Sequence, residues 1–444
     1  MKNIIINAIN ALSAGTINVL ENFISGLDEI FAQNDNKNFK FIIILPVTPE
    51  YKKFVLKINA GNSTSKDNVK FIWYYEISTL KAIFRAYHYF IYLPWLCLRY
   101  KPKSLFVFGN YLPFAVRCRK NHRQQNKTLA YDDEMRHKNN DIRPQIIVLL
   151  QNAFIIDHNS YRNAKGLAKL RETIRRLLFN RTTKYADLVL VQSAYIKNAL
   201  LVEYPDLKCD ILPNPISRVF ALKNNNNLFN KANTHQAAIS MELPISSDNM
   251  INNDNINNTI QDDPTAQKKI LFYPSRYYPH KNHIFIIELA KKFKEQLREI
   301  NACFYVTLNP DIHAVKDLLK TITEAKIEDL VVNINEISQV ELTRYYKMSY
   351  LLFFSSKTES FGNAFIEAMC FGLPIIAPDL EYARIICEDA ALYYAADKLD
   401  NAFNLLNNLI TDNNLYDKLS QSSLSQYKKF PTVFQWMTQI VSYL

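Results

Sequence analysis

The chain has 444 residues, a formal charge of +11 at pH 7 and 48% hydrophobic residues, enough for two or three domains with cores of their own. Its seven glycines, at 15, 26, 61, 109, 166, 362 and 372, lie at least ten residues apart, which excludes both a G-x-G-x-x-G dinucleotide loop and a G-x-x-x-x-G-K-S/T phosphate loop. The six cysteines are scattered without a C-x-x-C pair, a pattern of reduced thiols on the cytosolic side and not of a disulfide frame or zinc site.

The first element is a strand over residues 3–7. It turns polar at Asn7 and Asn10, so the N-terminus does not read as a secretory signal. A helical period follows over 18–31, then strands over 39–46, 70–74 and 104–108. Residues 86–98, AYHYFIYLPWLCL, are aromatic and bordered by Arg85, Arg99, Lys101 and Lys103. Thirteen residues are too few to span a bilayer. The composition suits a helix lying in a membrane interface, and equally a helix packed on a sheet. From Arg99 to Lys184, 19 Lys and Arg stand against 6 Asp and Glu. This one region carries the whole positive excess, its densest parts being 117–127 and the helix 162–184. A field of that kind suits an anionic membrane or another polyanion. Nucleic acid is not expected, because no recognised motif appears and the aromatics lie inside apolar runs.

Strands over 146–150, 188–192 and 210–212, with a helix over 165–179 among them, complete a first series of βαβ units. The pattern then stops. Residues 221–264 hold 12 Asn in 44 positions with no glycine, a polar insertion too poor in apolar residues to fold alone and read as mobile. A second strand series follows at 268–274, 303–308, 330–334, 351–355, 374–377 and 391–393, with helices between. Two doubly wound α/β domains of similar size are therefore expected. In such sheets ligands bind at the carboxyl ends of the strands, and a cleft between the domains is the expected place.

Two segments of the second series carry chemistry. In KKILFYPSRYYPHKNH, Arg276 follows a strand and Lys281 comes five residues later, a guanidinium fork and a point charge that together suit a diphosphate. A single Arg-x4-Lys pair taken alone reads as an ordinary exposed basic loop. In SSKTESFGNAFIEAMCFGLPIIAP, a strand ends in the polar loop 357–362, a helix follows from Asn363, and Gly372 caps it. A helix start behind a glycine is an anion site. Glu359 and Glu367 stand eight residues apart across that start. Carboxylates beside a diphosphate suit the hydroxyls of a nucleotide sugar, the alternative being two solvated side chains.

These residues resemble the family 4 retaining glycosyltransferases. The E-x7-E motif of that family matches Glu359 and Glu367, including the S-F-G between them and the E-A-x-x-x-G-x-P-I-I-A that continues it, and its R-x4-K pair matches Arg276 and Lys281. YADLVLVQSAYIKNAL (185–200) and ILPNPI (211–216) are similar to the end of the family's N-terminal domain. The resemblance implies an α/β GT-B fold, two Rossmann-like domains facing a central cleft. It divides the chain into an acceptor-side domain (1–215), the Asn-rich linker (216–267), a nucleotide-sugar-binding domain (268–429) and a terminal helix crossing back to the first domain (430–444). In the last of these, Trp436 is expected to pack on the N-terminal domain.

The resemblance also implies roles. Glu359 would contact donor-sugar hydroxyls, Ser360, Phe361, Gly362 and Asn363 would offer backbone donors, and Glu367 would hold the ribose. Arg276 and Lys281 would stabilise the departing diphosphate. Gly15, in SAGT, is the candidate for the glycine loop that covers the diphosphate. Where several relatives carry a His on the donor sugar, this chain has Gln151 and Asn152, amides that cannot charge. There is no D-x-D triplet, so metal-independent transfer with no cofactor beyond the nucleotide-sugar donor is expected. The implied function is retaining transfer of a hexose to a glycan or lipid-linked acceptor in surface polysaccharide assembly, by a peripheral enzyme at the cytoplasmic face of the inner membrane. A non-catalytic polyanion- or membrane-binding protein on the same fold, or another GT-B enzyme such as a nucleotide-sugar epimerase, remains the alternative.

Overall fold

In the computed structural model the described residues are 2–12, 14–32, 38–49, 51–52, 55–56, 68–109, 144–151, 166–217, 220 and 268–444. The readings made on the 216–267 linker beyond 217 (Phe220 apart), on the basic run 117–127 and on Asn152 fall outside them. By its contacts the chain divides into two compact units, Met1–Ser217 with Thr358–Asn363 and Phe430–Leu444, and Arg218–Lys357 with Ala364–Lys429.

The first unit is built on a seven-stranded sheet of order β3-β2-β1-β4-β5-β6-β7, every pairing parallel. The strands are β1 (Lys2–Asn7), β2 (Phe39–Pro46), β3 (Val69–Tyr74), β4 (Ser104–Phe108), β5 (Gln145–Leu150), β6 (Leu188–Val191) and β7 (Cys209–Ile211). A parallel sheet is covered on both faces, so its strands are apolar at consecutive positions and successive side chains enter opposite cores. Ile4 and Ile6 of β1 enter one cluster and Ile5 the other; Phe41 and Ile43 of β2 divide from Ile42 and Ile44 in the same way.

One face is covered by α1 (Ala14–Ala32) and by the terminal helix Val433–Tyr443. Trp436 is fully buried there, edge-on to Phe23 at 6.5 Å. Gly26 is what lets the two helices approach: a Cβ on it would stand 2.3 Å from Cγ of Met437. The opposite face carries α2 (Lys81–Tyr87), a π-helical turn (His88–Tyr92), α3 (Leu93–Tyr100), α4 (Gly166–Thr182) and α5 (Ala194–Glu203).

The second unit has a six-stranded parallel sheet of order β10-β9-β8-β11-β12-β13. Its strands are β8 (Lys269–Tyr273), β9 (Ala302–Val306), β10 (Val331–Asn333), β11 (Leu351–Phe353), β12 (Ile375–Pro378) and β13 (Ala391–Tyr394). Between them run α6 (His283–Lys292), α7 (Lys294–Glu299), α8 (His313–Glu324), α9 (Gln339–Met348), α10 (Asn363–Cys370) and α11 (Glu381–Cys387), with α12 (Leu399–Thr411) and α13 (Asn413–Tyr427) after the last strand; Val433–Tyr443 is α14. Each sheet reverses its strand order once, at β1/β4 in the first unit and at β8/β11 in the second. At such switch points the two outgoing loops diverge and leave room for a ligand above the strand ends.

Candidate functional site

The switch point of the second unit lies between the two segments that carry the sequence motifs, since Arg276 and Lys281 follow β8 and the Glu359 loop follows β11. A polar strap ties the start of one to the other. Lys357 N donates to the His280 carbonyl at 2.7 Å, Ser356 Oγ donates to the same oxygen at 3.3 Å, and Ser355 Oγ donates to the Lys281 carbonyl at 3.1 Å. Tyr273 Oη adds a further bond to the Lys281 carbonyl at 2.7 Å. The turn Pro279–Lys281 is therefore held from below by its own strand and from the side by β11's outgoing chain. Behind it, buried His283 contacts the Ser275 carbonyl through a ring nitrogen at 3.1 Å. Burial pushes that imidazole down to about 4, so it stays neutral near pH 7.

Arg276 is half exposed, and its Nε pairs with Glu336 at 3.0 Å. Glu336 lies between β10 and α9, so the chain leaving β10 reaches the guanidinium that follows β8. The sequence motifs did not include Glu336, and no spacing rule points to it.

Glu367, on α10, is not the solvated residue that the bland reading allowed. Its carboxyl accepts a hydrogen bond at 2.8 Å from the hydroxyl of Tyr346 on α9, and Tyr346 is fully buried. Desolvation of the carboxyl pushes it up to about 7, with the Tyr346 bond pulling the other way. The carboxyl thus sits well above the usual carboxylate range.

The loop Thr358–Asn363 belongs by its contacts to the first unit. Within that unit Ser193 Oγ donates to the Ser360 carbonyl at 2.9 Å. Asn214 Nδ2 donates to Asn363 Oδ1 at 2.9 Å, and Asn214 Oδ1 in turn accepts from Gln192 at 2.6 Å. Ser193, Gln192 and Asn214 thus hold the loop at two points. They lie in the segments 185–200 and 211–216, which carry the family resemblance without a catalytic motif. Phe361 is buried and meets Phe430 edge-on at 5.9 Å, so its side chain anchors the loop. Gly362 adopts φ +76°, a left-handed turn that any side chain would strain. Glu359 is 9% exposed, which removes the solvated alternative for it too.

In the first unit Gly15 is exposed in the opening turn of α1, just past β1. Gln151 directly follows β5, and both polar atoms of its amide are buried without a partner among the described residues. Near the end of β1, buried His88 contacts Asn7 Oδ1 at 3.2 Å through Nε2, and Asn10 donates to the Tyr89 hydroxyl at 2.5 Å. Burial pushes His88 down to about 4. These residues were not singled out from the sequence; His88 and Asn7 are 81 positions apart, and only the crossover between β3 and β4 brings them together.

The glycosyl transferases group 1 family model matches residues 256–426, the stretch that holds Arg276, Lys281, Glu359 and Glu367. No curated protein sequence matches the chain. Among solved structures, Anabaena Alr3699/HepE in complex with UDP and glucose is similar at 13% identity, over 100% of this chain and 99% of that one, with a TM-score of 0.60. Sucrose-phosphate synthase (tll1590) from Thermosynechococcus elongatus is similar at 12% identity, over 100% and 98%, with a TM-score of 0.63. WaaG, a glycosyltransferase involved in lipopolysaccharide biosynthesis, is similar at 11% identity, over 99% of each chain, with a TM-score of 0.62. The fold is that of the GT-B glycosyltransferases, two parallel-sheet α/β domains.

Proposed function

We propose that this protein is a retaining glycosyltransferase of family 4 that moves a hexose from a nucleotide-diphosphate sugar to a glycan or lipid-linked acceptor. The observation that carries the reading is the strap at the β8/β11 switch point. It fixes the Arg276–Lys281 turn against the chain leading into the Glu359 loop, inside the segment that matches the group 1 family model.

In this reading the diphosphate lies at the start of α10, where unpaired backbone N–H groups, the left-handed Gly362 and the cations Arg276 and Lys281 favour negative charge. Glu359 takes hydroxyls of the sugar and Glu367 those of the ribose. As the bond from the anomeric carbon to the phosphate oxygen breaks, charge grows on the diphosphate. Cations already in place stabilise that charge without reorganisation. The leaving phosphate oxygen takes the acceptor's proton, so the chain supplies no general base. Transfer is metal-independent, the two cations doing the work of a divalent ion, and no cofactor is used. Gly15, Gln151 and Asn152 would complete the donor site. The acceptor is a surface polysaccharide intermediate, and the enzyme works on an anionic membrane at its cytoplasmic face; among the described residues no helix is long and apolar enough to cross one.

The solved HepE complex contains UDP and glucose, which makes UDP the first nucleotide to test beside GDP and ADP. One of the three is expected to raise the melting temperature of the full chain, and Arg276→Ala is expected to remove the shift. No shift with any of them would sink the donor-site reading.

A further inference from the structure

The continuous helix from Lys81 to Tyr100, formed by α2, the π turn and α3, is apolar on both faces. Its inner face, including Tyr89, Leu93 and Leu96, is buried in the core of the first unit. Its outer face is no more polar. Ile83 is 65% exposed, Tyr87 53%, Phe90 55%, Ile91 58%, Trp95 45% and Leu98 68%. These positions recur at steps of three and four, so they form one stripe. The wider π turn sets Phe90 and Ile91 side by side on it. A helix that is apolar all round belongs in a core or against lipid, and here the sheet fills only one side.

The charges say what covers the other. Arg99, Lys101 and Lys103 border one end of the stripe with no Asp or Glu from 77 to 103, while Lys81 and Arg85 at its other end pair with Glu76 at 2.8 and 3.2 Å. The Arg99 guanidinium lies over the Trp95 ring, 5.1 Å from its centroid. A second stripe repeats the pattern on α4, which packs on the same core through Phe179. There Leu170, Ile174 and Leu177 are 56%, 51% and 47% exposed, and Lys169, Arg171, Arg175, Arg176 and Arg181 outnumber Glu172 on the helix, with Arg176 paired to Glu203 at 3.4 Å. A second copy of this chain would set one net-positive face against another. An anionic leaflet meets both demands, headgroups for the Lys and Arg and acyl chains for the ridge.

We infer that the outer face of the Lys81–Tyr100 helix inserts into an anionic lipid leaflet, with α4 as a second contact. The inference rests on the membrane-surface reading proposed above and names the residues that insert. Aromatic and aliphatic side chains would enter the headgroup–acyl boundary, with Trp95 and Tyr87 at the depth such rings favour.

The test is flotation of the full chain with vesicles of phosphatidylglycerol and phosphatidylcholine, and of phosphatidylcholine alone. The wild type is expected to float with the anionic vesicles, and brominated lipid is expected to quench its tryptophan emission. The triple variant Phe90→Ser, Ile91→Ser, Leu98→Ser changes only exposed positions and is expected to keep its melting temperature while partitioning about tenfold less or worse. A wild type that does not float, or a triple variant that floats like it, overturns the inference. So does a wild-type dimer that the variant turns into a monomer with flotation unchanged, since a second copy would then cover the face. The melting shift with UDP, GDP or ADP is read in the same samples. Loss of vesicle binding with the shift intact indicts the lipid face, whereas absence of the shift with vesicle binding intact indicts the donor site.

Discussion

The two units share a topology but spend their polar residues differently. At its switch point the second unit places backbone carbonyls, hydroxyls and an ion pair in a rigid frame: the strap from Ser355, Ser356 and Lys357, the Tyr273 bond, and Arg276 against Glu336. The first unit keeps more buried polar atoms unpartnered at the same end of its sheet, among the described residues the Gln151 amide, Nδ2 of Asn7 and Nδ1 of His88 against Nδ1 of His283 in the second, and leaves apolar stripes exposed on its helices. A turn braced from two sides by main-chain and hydroxyl bonds suits a ligand of fixed shape such as a diphosphate. A surface with exposed apolar side chains is completed only by a partner. One half reads as a preorganised frame, and the other keeps polar atoms and apolar stripes open.

The strongest way to break this comparison is through the core of the first unit. Trp436→Ala empties a fully buried site beside Phe23 and is expected to cost about 3–5 kcal/mol. Calorimetry should show the loss in the first unit, and an unchanged unfolding profile would mean that the terminal helix contributes little. Arg276→Ala is expected to lower kcat by about 10²–10³-fold with the melting temperature nearly kept, because the side chain is half exposed. Normal turnover would remove it from the leaving-group role.

Glu367 gives a test with a sign. Its carboxyl is raised from 4.5 to about 7 in the folded chain, so the stability tied to its neutral form is present below the unfolded value and is lost as pH rises through 7. Glu367→Gln should flatten the fall in melting temperature between pH 5 and pH 8. A ligand that hydrogen-bonds the carboxylate favours the ionised form, so nucleotide affinity in the wild type should rise from pH 6 to pH 8, and titration calorimetry should show proton release. Glu367→Gln should abolish both, and equal pH profiles for the two proteins would refute the assignment.

Smaller effects sharpen the picture. Ser355→Ala removes one bond of the strap and is expected to cost about 1 kcal/mol and to weaken nucleotide binding more than a surface substitution does. Glu336→Gln releases Arg276 from its partner. It should tighten diphosphate binding a few-fold at low salt, an effect fading as ionic strength rises, with a salt-independent affinity counting against any competition between Glu336 and the ligand.

The strand pattern was largely legible because a parallel sheet buries both faces of its strands. Runs such as FKFIIILP (Phe39–Pro46) and QIIVLL (Gln145–Leu150) are therefore apolar over consecutive positions, 41–46 and 146–150, and stand out from the amphipathic helices between them. The Glu359–Glu367 segment was legible for a similar local reason, since strand, loop, glycine and helix start are contiguous in the chain. Their joint arrangement was not. Tyr346 reaches Glu367 from 21 positions away and Ser193 reaches Ser360 from 167, and neither tyrosine nor serine carries any local mark of a role.

What the sequence determined by itself was therefore whatever depends on neighbours along the chain: the alternation that dictates two doubly wound sheets, the glycine that permits a left-handed turn at 362, and the surplus of Lys and Arg over 99–184. Tertiary structure decided which of these elements hold one another, and it also decided exposure. The residues from 86 to 98 read equally as a buried helix and as an interfacial one. The fold makes them both, by turning Leu93 and Leu96 into the core and leaving Phe90, Ile91 and Leu98 outside. Periodicity marks a stripe only by contrast with polar positions. On a helix that is apolar all round there is no contrast, so only packing against the sheet tells the two faces apart.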